Sequence, residues 1–540
     1  MTLILGVHAG AGAYHDAAAC LLDGDGTVLA FVEEERLTRV RHARGTRMPV
    51  RAVAQCLRLA ERDAREIELV ALGWDEPRMA GQAGRVWDFT SRGEFLTALG
   101  LGRAGADLCF TPHHRAHAAS AFHASGYERA AVVVVDGNGE DASASIYRAR
   151  RGSPLVELDA WPQVCSVGHL YEAASRWLGL GRHGAGKTMG LAAYAPGPVE
   201  DPGWLVGDGD RLVSTLGADP RLGYDVLAGR WDALITAYAG AERPATPPAG
   251  LDRDPRAVRV AAAAQATVEH VLGWLAARAR ARTGLQALCL AGGVALNCAA
   301  NATLAGPLYI PPVPHDAGVA LGAAWAQLPP RRPAPLSAYL GGRPGPLPAG
   351  QAGRAGAVNV DAVADLLAGG RIVGICRGRA EAGPRALGHR SLLASPTSAG
   401  MRERMNRLKG REAWRPFGPV THTEPGLWWS PVGQLDRYML GAAALTDRGL
   451  AELPAIAHAD ATTRPQRLRP GDDPFLDAVL DALARHGHPP VLLNTSFNGP
   501  GEPLVDSAAD AWGCARRLGA DAVVTDDLLL RLTPTSAAAR

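Results

Sequence analysis

The sequence has little that would tie it to a nucleic acid, a membrane or an oxidising compartment. Its 56 basic and 54 acidic residues leave a net charge of +2, which gives no electrostatic case for a nucleic-acid partner. No apolar run reaches the length of a membrane span. The eight cysteines are dispersed without a CxxC pair, as expected for small buried side chains in reducing surroundings. We therefore expect a cytoplasmic protein without nucleic-acid or membrane partners.

The length of 540 residues predicts two or three domains rather than one core. Residues 328–356 are so rich in proline and glycine that they cannot form a core element, and we place an inter-domain linker there. This predicts a first domain at 1–327 and a second at 357–540. The first residues, Met1–His8, lack a basic n-region and are expected to form a buried strand, not a signal peptide.

Residues 197–255 are rich in glycine, proline and aspartate and have the composition of an insertion. A long helix is predicted directly after it, over about 255–282.

The first domain contains an internal repeat. Residues 3–32 and 131–158 each consist of an apolar strand, a glycine-rich turn and a returning hairpin. Two such hairpins, each at the head of an α/β half, are typical of actin-like and sugar-kinase-like ATPases. In those proteins the turns expose backbone N–H groups to phosphate.

A histidine pair in an alanine-rich segment is the sharpest local signal. His113 and His117 are four residues apart, so a helix places both imidazoles on one face. That spacing allows two imidazoles to reach one metal ion. A polar helix with incidental histidines gives the same pattern.

Two aspartates are candidates to complete such a metal site. Asp136 ends the apolar strand 132–135, and Asp316 precedes a helix of small residues. An N-cap role explains Asp316 equally well. Two histidines and two aspartates suit Fe(II), Mn or Zn and not a structural thiolate site.

Glycine-rich turns supply the nucleotide-binding candidates. Gly137 and Asn138 follow Asp136, while Gly292 and Gly293 separate a strand from a helix. Glycines there let a nucleotide approach the backbone. Asn297 follows on that helix, where it is also explained as an ordinary polar residue.

The second domain concentrates positive charge in one stretch that glycine and proline interrupt. Arginine forks and lysine suit multiply charged phosphates, although exposed arginines are the alternative. The candidates are Arg385, Arg390, Lys409, Arg411 and Arg415.

The strand 491–493 ends in further candidates, Asn494, Ser496 and Asn498. Amides and hydroxyls at a strand end are typical of a binding loop. No GxSxG motif surrounds Ser496, so a hydrolase nucleophile is disfavoured.

Together these segments resemble the O-carbamoyltransferase family that includes the nodulation-factor, cephamycin, novobiocin and tobramycin carbamoyltransferases. The resemblance runs in order along nearly the whole chain. Its most specific segments are 33–39, 113–120, 186–194, 292–297, 383–391, 411–417 and 494–498.

The resemblance implies an α/β protein with two catalytic domains. The first is similar to the actin-like (ASKHA) domain of the tRNA threonylcarbamoyladenosine transferases, with a metal held by His113, His117, Asp136 and Asp316. The second is similar to YrdC-type domains, which make an adenylate from ATP. Carbamoyl phosphate and Mg-ATP would give carbamoyl adenylate, and the first domain would pass its carbamoyl group to a hydroxyl of a small natural product such as an antibiotic.

Three catalytic positions follow from the resemblance. His15, on the first glycine-rich turn, is the candidate general base, although a core or turn histidine is an equal alternative. Arg41 stands where the family tends to have lysine, which retains the charge but changes its geometry. Lys187 lies in the segment 186–194. The metal would be Fe(II), with Mn or Zn as alternatives, and the oligomeric state stays open, a homodimer included.

Two other functions are alternatives for this sequence. A tRNA threonylcarbamoyl transferase would be expected to carry a basic surface, which the net charge of +2 does not favour. A non-catalytic nucleotide-binding module of the actin-like class would not need the basic second domain.

Overall fold

The computed structural model describes residues 3–9, 15–82, 89, 91–220, 222–240, 242–244, 247–332, 335–347, 355–424 and 426–532. The chain divides into two compact units. The first comprises residues 1–34 and 42–337, and the second comprises 35–41 and 338–540. The division after residue 337 falls inside the range predicted as linker.

Twelve strands of the first unit form two five-stranded sheets and a separate hairpin. They are β1 Leu3–His8, β2 Ala18–Leu22, β3 Val28–Glu33, β4 Ile67–Leu72, β5 Asp107–Phe110, β6 Arg129–Gly139, β7 Ala142–Arg150, β8 Val156–Pro162, β9 Leu205–Asp208, β10 Arg211–Ser214, β11 Leu288–Ala291 and β12 Leu308–Tyr309.

The two five-stranded sheets have the same topology. The first has the order β3-β2-β1-β4-β5, and the second has the order β8-β7-β6-β11-β12. In each sheet, three consecutive strands form an antiparallel meander. A fourth strand pairs in parallel with the first strand of the meander, and a fifth pairs in parallel with the fourth. This repeat is the duplicated, hairpin-headed arrangement that the sequence predicts, and it confirms an α/β, actin-like first unit.

The helix α1 Glu34–Thr38 lies almost wholly in the segment 35–41, which belongs to the second unit. The helices of the first unit are α2 Val50–Ala60, α3 Glu76–Gln82, α4 Arg92–Ala98, α5 His113–Ser125, α6 Val167–Trp177, α7 Ala185–Ala192, α8 Tyr224–Ala239, α9 Pro255–Thr283, α10 Cys298–Ala302 and α11 Ala317–Gln327. Among them, α2, α5, α6, α9 and α11 pack against the five-stranded sheets, and α8 packs on α6 and α9. The predicted long helix is confirmed as α9, which Asp254 caps at its start and Gly284 ends in a left-handed conformation.

Small residues bring α11 close to its neighbours. A Cβ on Gly322 would lie 1.8 Å from the carbonyl oxygen of Ala116 on α5, and one on Gly6 would lie 1.9 Å from that of Ala320. Only glycine permits such close backbone approach. The start of α11 is therefore held beside α5, which is what positions the candidate site.

The second unit is built on one mixed eight-stranded sheet of order β13-β22-β21-β14-β15-β20-β16-β19. Its strands, with the short pair β17 and β18, are β13 Ala355–Ala357, β14 Val373–Cys376, β15 Arg390–Ala394, β16 Gly418–Thr421, β17 Ala443–Ala444, β18 Thr462–Thr463, β19 Gln466–Arg467, β20 Leu492–Ser496, β21 Ala522–Val524 and β22 Leu528–Arg531. Its helices are α12 Val360–Ala368, α13 Ala399–Leu408, α14 Asp447–Glu452, α15 Pro474–Arg485 and α16 Ala508–Leu518.

Residues 35–41 belong to the second unit although they lie far from it in sequence. Arg36 donates to the carbonyl oxygen of Gly383 at 2.6 Å, and Arg39 donates to the carbonyl oxygens of Leu504 and Pro503. Guanidinium groups satisfy several carbonyl oxygens at once, which fixes this segment to the second unit. The predicted boundary at 327 places these seven residues in the first domain instead.

All eight cysteines are free thiols, and seven of them are buried. Among the described residues, no helix combines the length and apolar character needed to cross a membrane.

Candidate functional site

Four predicted metal ligands meet in the first unit. His113 and His117 lie one turn apart on α5, Asp136 lies on β6, and Asp316 directly precedes α11. One ligand atom from each lies within 4.8 Å of the others. We call these four residues the His–Asp group.

The spacing within the His–Asp group fits a metal ion. The Nε2 atoms of His113 and His117 are 3.1 Å apart. Nε2 of His117 lies 3.0 Å from Oδ2 of Asp136 and 3.7 Å from Oδ1 of Asp316. Metal bonds of about 2.1 Å place neighbouring ligand atoms roughly 3.0–3.4 Å apart. The nitrogen and oxygen donors also suit Fe(II), Mn or Zn.

Groups around the ligands fix their orientation. Nδ1 of His113 lies 3.2 Å from the carbonyl oxygen of Gly73, to which it donates, so the Nε2 lone pair is directed at the other ligands. The Trp74 ring covers His113, with ring centroids 3.9 Å apart. Oδ1 of Asp136 accepts from the backbone N–H groups of Gly137 and Gly293, at 2.7 and 3.3 Å.

Asp316 is not used as a helix cap. Its backbone is helical, and its side chain accepts no capping hydrogen bond from α11. The carboxylate instead faces the two histidines. The N-cap alternative for Asp316 is therefore wrong.

The charges of the His–Asp group depend strongly on one another. Burial alone lowers the pKa of His113, but Asp136 and Asp316 outweigh it and raise that pKa to about 10. Burial would raise the pKa of Asp316, yet the two histidines hold it well below its usual range. Two buried carboxylates thus require a nearby positive charge, which protons or a metal ion can supply.

His15 lies beside the His–Asp group, as expected. Its Nδ1 is 3.0 Å from Asp16 and 3.9 Å from Asp316. Burial lowers its pKa, but the hydrogen bond with Asp16 and the charge of Asp316 raise it to about 9 overall. A protonated imidazole cannot accept a proton. The predicted general-base role of His15 therefore needs a cation that neutralises the aspartates.

The predicted nucleotide residues have structural roles as well. Gly292 has a φ of +94°, and a Cβ there would lie 2.1 Å from the carbonyl oxygen of Val135, so glycine is required by packing. Asn297 caps α10 by accepting from Ala300, and it exchanges hydrogen bonds with Gln265. Asn138 is exposed and accepts from Gln163. Gly137 adjoins Asp136.

The two remaining predicted catalytic residues, Lys187 and Arg41, belong to different units. Lys187 is half-buried on α7 of the first unit. Arg41 belongs to the second unit, where burial lowers the pKa of Lys409 and of Arg415 and the charge of Arg41 adds to that effect.

Lys409 is buried, and it organises the loop after β20. Its ammonium donates to the carbonyl oxygens of Ser496 and Asn498, at 2.5 and 3.0 Å, and to the side-chain oxygen of Asn498, at 2.8 Å. Three donors meet three acceptors, so Lys409 supports the predicted binding loop rather than offering a free ammonium to phosphate.

A basic cluster surrounds this loop. Burial and mutual repulsion lower the pKa of Lys409 and of Arg411 well below their usual ranges, and they lower that of Arg415 as well. Arg41 and Arg464 add further positive charge. We call Arg41, Lys409, Arg411, Arg415 and Arg464 the basic cluster. An anion bound here would relieve the repulsion, which fits the predicted phosphate site.

Arg390 has a different role from the one predicted. It is fully buried, and its guanidinium donates to the carbonyl oxygens of Arg377, Gly378, His389, Gly342 and Asp506. No donor direction remains for a ligand, so the prediction that Arg390 binds phosphate is wrong. Its charge holds neighbouring loops together.

Of the other predicted residues of the second unit, some lie in loops and some lie in the protein interior. Arg385 is half-buried in the loop 383–388. Asn494 is 2% exposed, and its amide donates to Ala386 and Gln466, so it acts inside the protein. Ser496 donates to Asn498 at 2.8 Å.

Sequence reasoning missed several residues that shape these sites. His8 is fully buried, accepts from Trp74 and lies 3.9 Å from Asp316; its position at the end of β1 was the available signal. Glu381 is buried and accepts from the backbone N–H groups of Leu387, His389 and Arg390, which holds the loop 383–388. No local motif marks this carboxylate.

Comparison with known proteins covers most of the chain. A model of the carbamoyltransferase N-terminus matches residues 100–203 and 239–325, and a model of the carbamoyltransferase C-terminus matches 364–531. The chain is 32% identical to the uncharacterized protein sll1178 of Synechocystis sp., over 99% of this chain and 97% of that protein. It is 30% identical to nodulation protein NolNO of Sinorhizobium fredii, over 96% of this chain and 79% of that protein.

A solved structure of full-length HypF, in a phosphate- and nucleotide-bound form, aligns at 14% identity over 61% of this chain and 46% of that chain, with a TM-score of 0.35. The repeated strand order of the first unit, and not this likeness, shows its actin-like fold. The family models and the two relatives show that this chain belongs to the carbamoyltransferase family and is a carbamoyltransferase, as the sequence predicts.

Proposed function

We propose that the protein is an ATP-dependent O-carbamoyltransferase whose acceptor is a hydroxyl group of a small natural product. Carbamoyl phosphate, ATP and water give carbamoyl adenylate, phosphate and pyrophosphate. The acceptor oxygen then bonds to the carbamoyl carbon, the bond from that carbon to the AMP oxygen breaks, and the hydroxyl proton is released. The products are a carbamate ester and AMP.

This proposal is supported by the presence of two sites in one chain: the His–Asp group, which favours a cation, and the basic cluster, which favours an anion. In the basic cluster five cationic side chains outnumber the neighbouring carboxylate of Glu412, as expected for a site that binds ATP and carbamoyl phosphate. We assign adenylate formation to this YrdC-like unit. Arg411 and Arg415 are the residues that we expect to bind phosphate, with Lys409 holding their loop in place.

The His–Asp group supports assignment of the transfer step to the first unit. His113, His117, Asp136 and Asp316 would hold a divalent metal, for which we propose Fe(II). When bound, such a metal polarises a carbonyl or stabilises a leaving phosphate. With the aspartates neutralised, His15 is placed to accept the acceptor's proton, and Asp16 orients its imidazole.

A small acceptor is preferred to tRNA for two reasons. The net charge of +2 offers little attraction to nucleic acid. Relatives of this chain are named nodulation proteins, in line with the resemblance to the nodulation-factor carbamoyltransferases. A cytoplasmic location and use of Mg-ATP complete the proposal.

The test has two measurements on the purified chain. Carbamoyl phosphate should stimulate release of pyrophosphate from ATP, and mass spectrometry should detect a carbamoyl gain on hydroxylated metabolites, with tobramycin as the first candidate. Bulk tRNA serves as the competing acceptor. Carbamoyl or threonylcarbamoyl transfer to tRNA alone, or no pyrophosphate release, would contradict the proposal.

A further inference from the structure

The carbamoyltransferase N-terminal model leaves residues 204–238 of this chain unmatched. The structure places the hairpin β9–β10 and all but the last residue of α8 in this segment, which we call the insert. Trp231 anchors α8 with its side chain fully buried, and Arg176 of α6 lies 3.6 Å from Asp232. The insert is therefore a packed part of the first unit.

The first residue of α8 is connected to the His–Asp group through two intervening residues. Tyr224 packs edge-to-face on His169, with ring centroids 5.1 Å apart. His169 in turn lies against Gly137, where a Cβ would be 3.6 Å from its Cδ2 atom. Gly137 directly follows the ligand Asp136, so two contacts connect the insert to the metal-ligand strand.

Tyr224 also belongs to a polar network with a charge of each sign. Its hydroxyl donates to Glu172, and the guanidinium of Arg182 lies 4.4 Å from the centre of its ring. Arg182 donates to the same carboxylate at 3.0 Å. Tyr224 is half-buried and Arg182 is 56% exposed, so this surface is accessible to a ligand.

A second chain of contacts leads from Arg182 to the His–Asp group. His183, next to Arg182, stacks on His42 with centroids 4.4 Å apart, and Nδ1 of His42 lies 2.9 Å from Asp16. Asp16 also contacts His15, whose Nδ1 lies 3.9 Å from Asp316. Both chains of contacts therefore combine aromatic rings with charged groups that accept and donate hydrogen bonds.

We propose that the insert forms the acceptor-side wall of the transfer site and that Tyr224 contacts a sugar-like, polyhydroxylated acceptor. The inference rests on the proposed function. An aromatic ring packs against the C–H face of a sugar, and a carboxylate–guanidinium pair binds its hydroxyl groups. The members of a family share the carbamoyl-transfer reaction but can differ in the acceptor. Residues that recognise the acceptor are therefore expected in segments that the family model does not match, such as the insert. Tyr224 lies beyond the reacting atoms and supplies binding energy at a distance from them.

The test compares Tyr224→Ala and Tyr224→Phe with Tyr238→Ala. Tyr238 lies on the same helix and also packs beside an arginine, Arg259, at 5.1 Å, but its aromatic neighbour is Trp204 instead of His169. Tobramycin is the acceptor probe, followed by a panel of glycosylated natural products. The readouts are KM and kcat for the acceptor, carbamoyl-phosphate-dependent pyrophosphate release, and the urea midpoint of unfolding.

We expect Tyr224→Ala to raise KM for the acceptor about tenfold or more while kcat changes less than about threefold, because uniform binding is lost. Tyr224→Phe, which loses one hydrogen bond, should raise KM by about two- to tenfold. Tyr238→Ala should leave KM unchanged. Unchanged KM in Tyr224→Ala, or equal effects of the Tyr224 and Tyr238 substitutions, overturns the assignment. If the wild-type protein carbamoylates no hydroxylated compound, the proposed function itself fails, which is a distinguishable outcome.

Discussion

The first unit gathers two imidazoles and two carboxylates at one point, whereas the second gathers an ammonium and several guanidinium groups. In the first, the carboxylates raise the pKa of His113 to about 10. In the second, burial and then the neighbouring cations lower the pKa of Lys409 well below its usual range. The His–Asp group favours an added cation, and the basic cluster favours an added anion.

The comparison teaches that like residue types need not have like roles. Arg390 and Arg415 both lie in the arginine-rich stretch, yet Arg390 donates only to carbonyl oxygens of the protein. Arg415 keeps 28% of its side chain exposed and lies 3.7 Å from Glu412. Burial and the availability of donor directions separate a structural arginine from a ligand-binding one.

The largest effect is expected from breaking the His–Asp group. His117→Ala should abolish metal binding and lower carbamoyl transfer by more than the roughly 10–100-fold that loss of an outer-shell partner costs. Pyrophosphate release should persist, because it is assigned to the second unit. Metal analysis and both assays check this. His123→Ala, on the same helix and also buried, is the control. Full metal content in His117→Ala would contradict the ligand assignment.

A large loss of stability is expected from Arg390→Ala. The substitution leaves buried carbonyl oxygens without donors, and we expect a destabilisation of about 3–5 kcal/mol, as when a buried charged partner is removed. Lysine should not restore stability because it lacks the fork of donors. Urea unfolding measures both variants. A midpoint equal to that of the wild type would show that those contacts are dispensable.

A smaller, purely functional effect is expected from Arg415→Ala. Loss of a charge-assisted contact to phosphate of about 1.5–3 kcal/mol should reduce carbamoyl-phosphate-dependent pyrophosphate release about 10–100-fold. Metal content and the unfolding midpoint should stay close to the wild type. Arg407→Ala, whose side chain is 72% exposed, is the matched control. Equal losses in the two variants would remove Arg415 from the anion site.

The smallest effect is expected from Asn297→Ala. Loss of the cap on α10 should cost about 1 kcal/mol of stability, and loss of the two hydrogen bonds with Gln265 should add about 1 kcal/mol or more. A structural role predicts unchanged nucleotide affinity, measured by titration with ATP. A tenfold fall in that affinity would instead support the sequence-based assignment of Asn297 to nucleotide binding.

Much of the fold could be predicted from the sequence, because the patterns that indicate its strands, turns and helices are local. Apolar strands that break at glycine-rich turns predicted the repeated hairpins, and both occur as β1–β3 and β6–β8. The helix α9 follows from its cap at Asp254 and its end at Gly284. The predicted boundary missed residues 35–41, because long-range hydrogen bonds from Arg36 and Arg39 decide where they belong.

The sequence predicted some residues of the candidate metal site more clearly than others. Helical periodicity alone puts His113 and His117 on one face, and the apolar run before Asp136 predicts that this carboxylate ends a buried strand. The structure continues β6 to Gly139, but its regular pairing with β7 is interrupted after Val135. The role of Asp316 was ambiguous, because an aspartate before a helix can cap it or face elsewhere. The absent capping bond and the approach of α11 to α5 resolve that ambiguity.

Sequence alone determined the family, the duplicated hairpins and the residue types that a cation site and an anion site require. Motifs carry this information because each is set by spacing along a few residues. Only the tertiary structure decided that Arg390 is structural, that Lys409 supports a loop and that Tyr224 packs on His169. Those roles depend on burial and on partners far away in sequence, which local patterns do not encode.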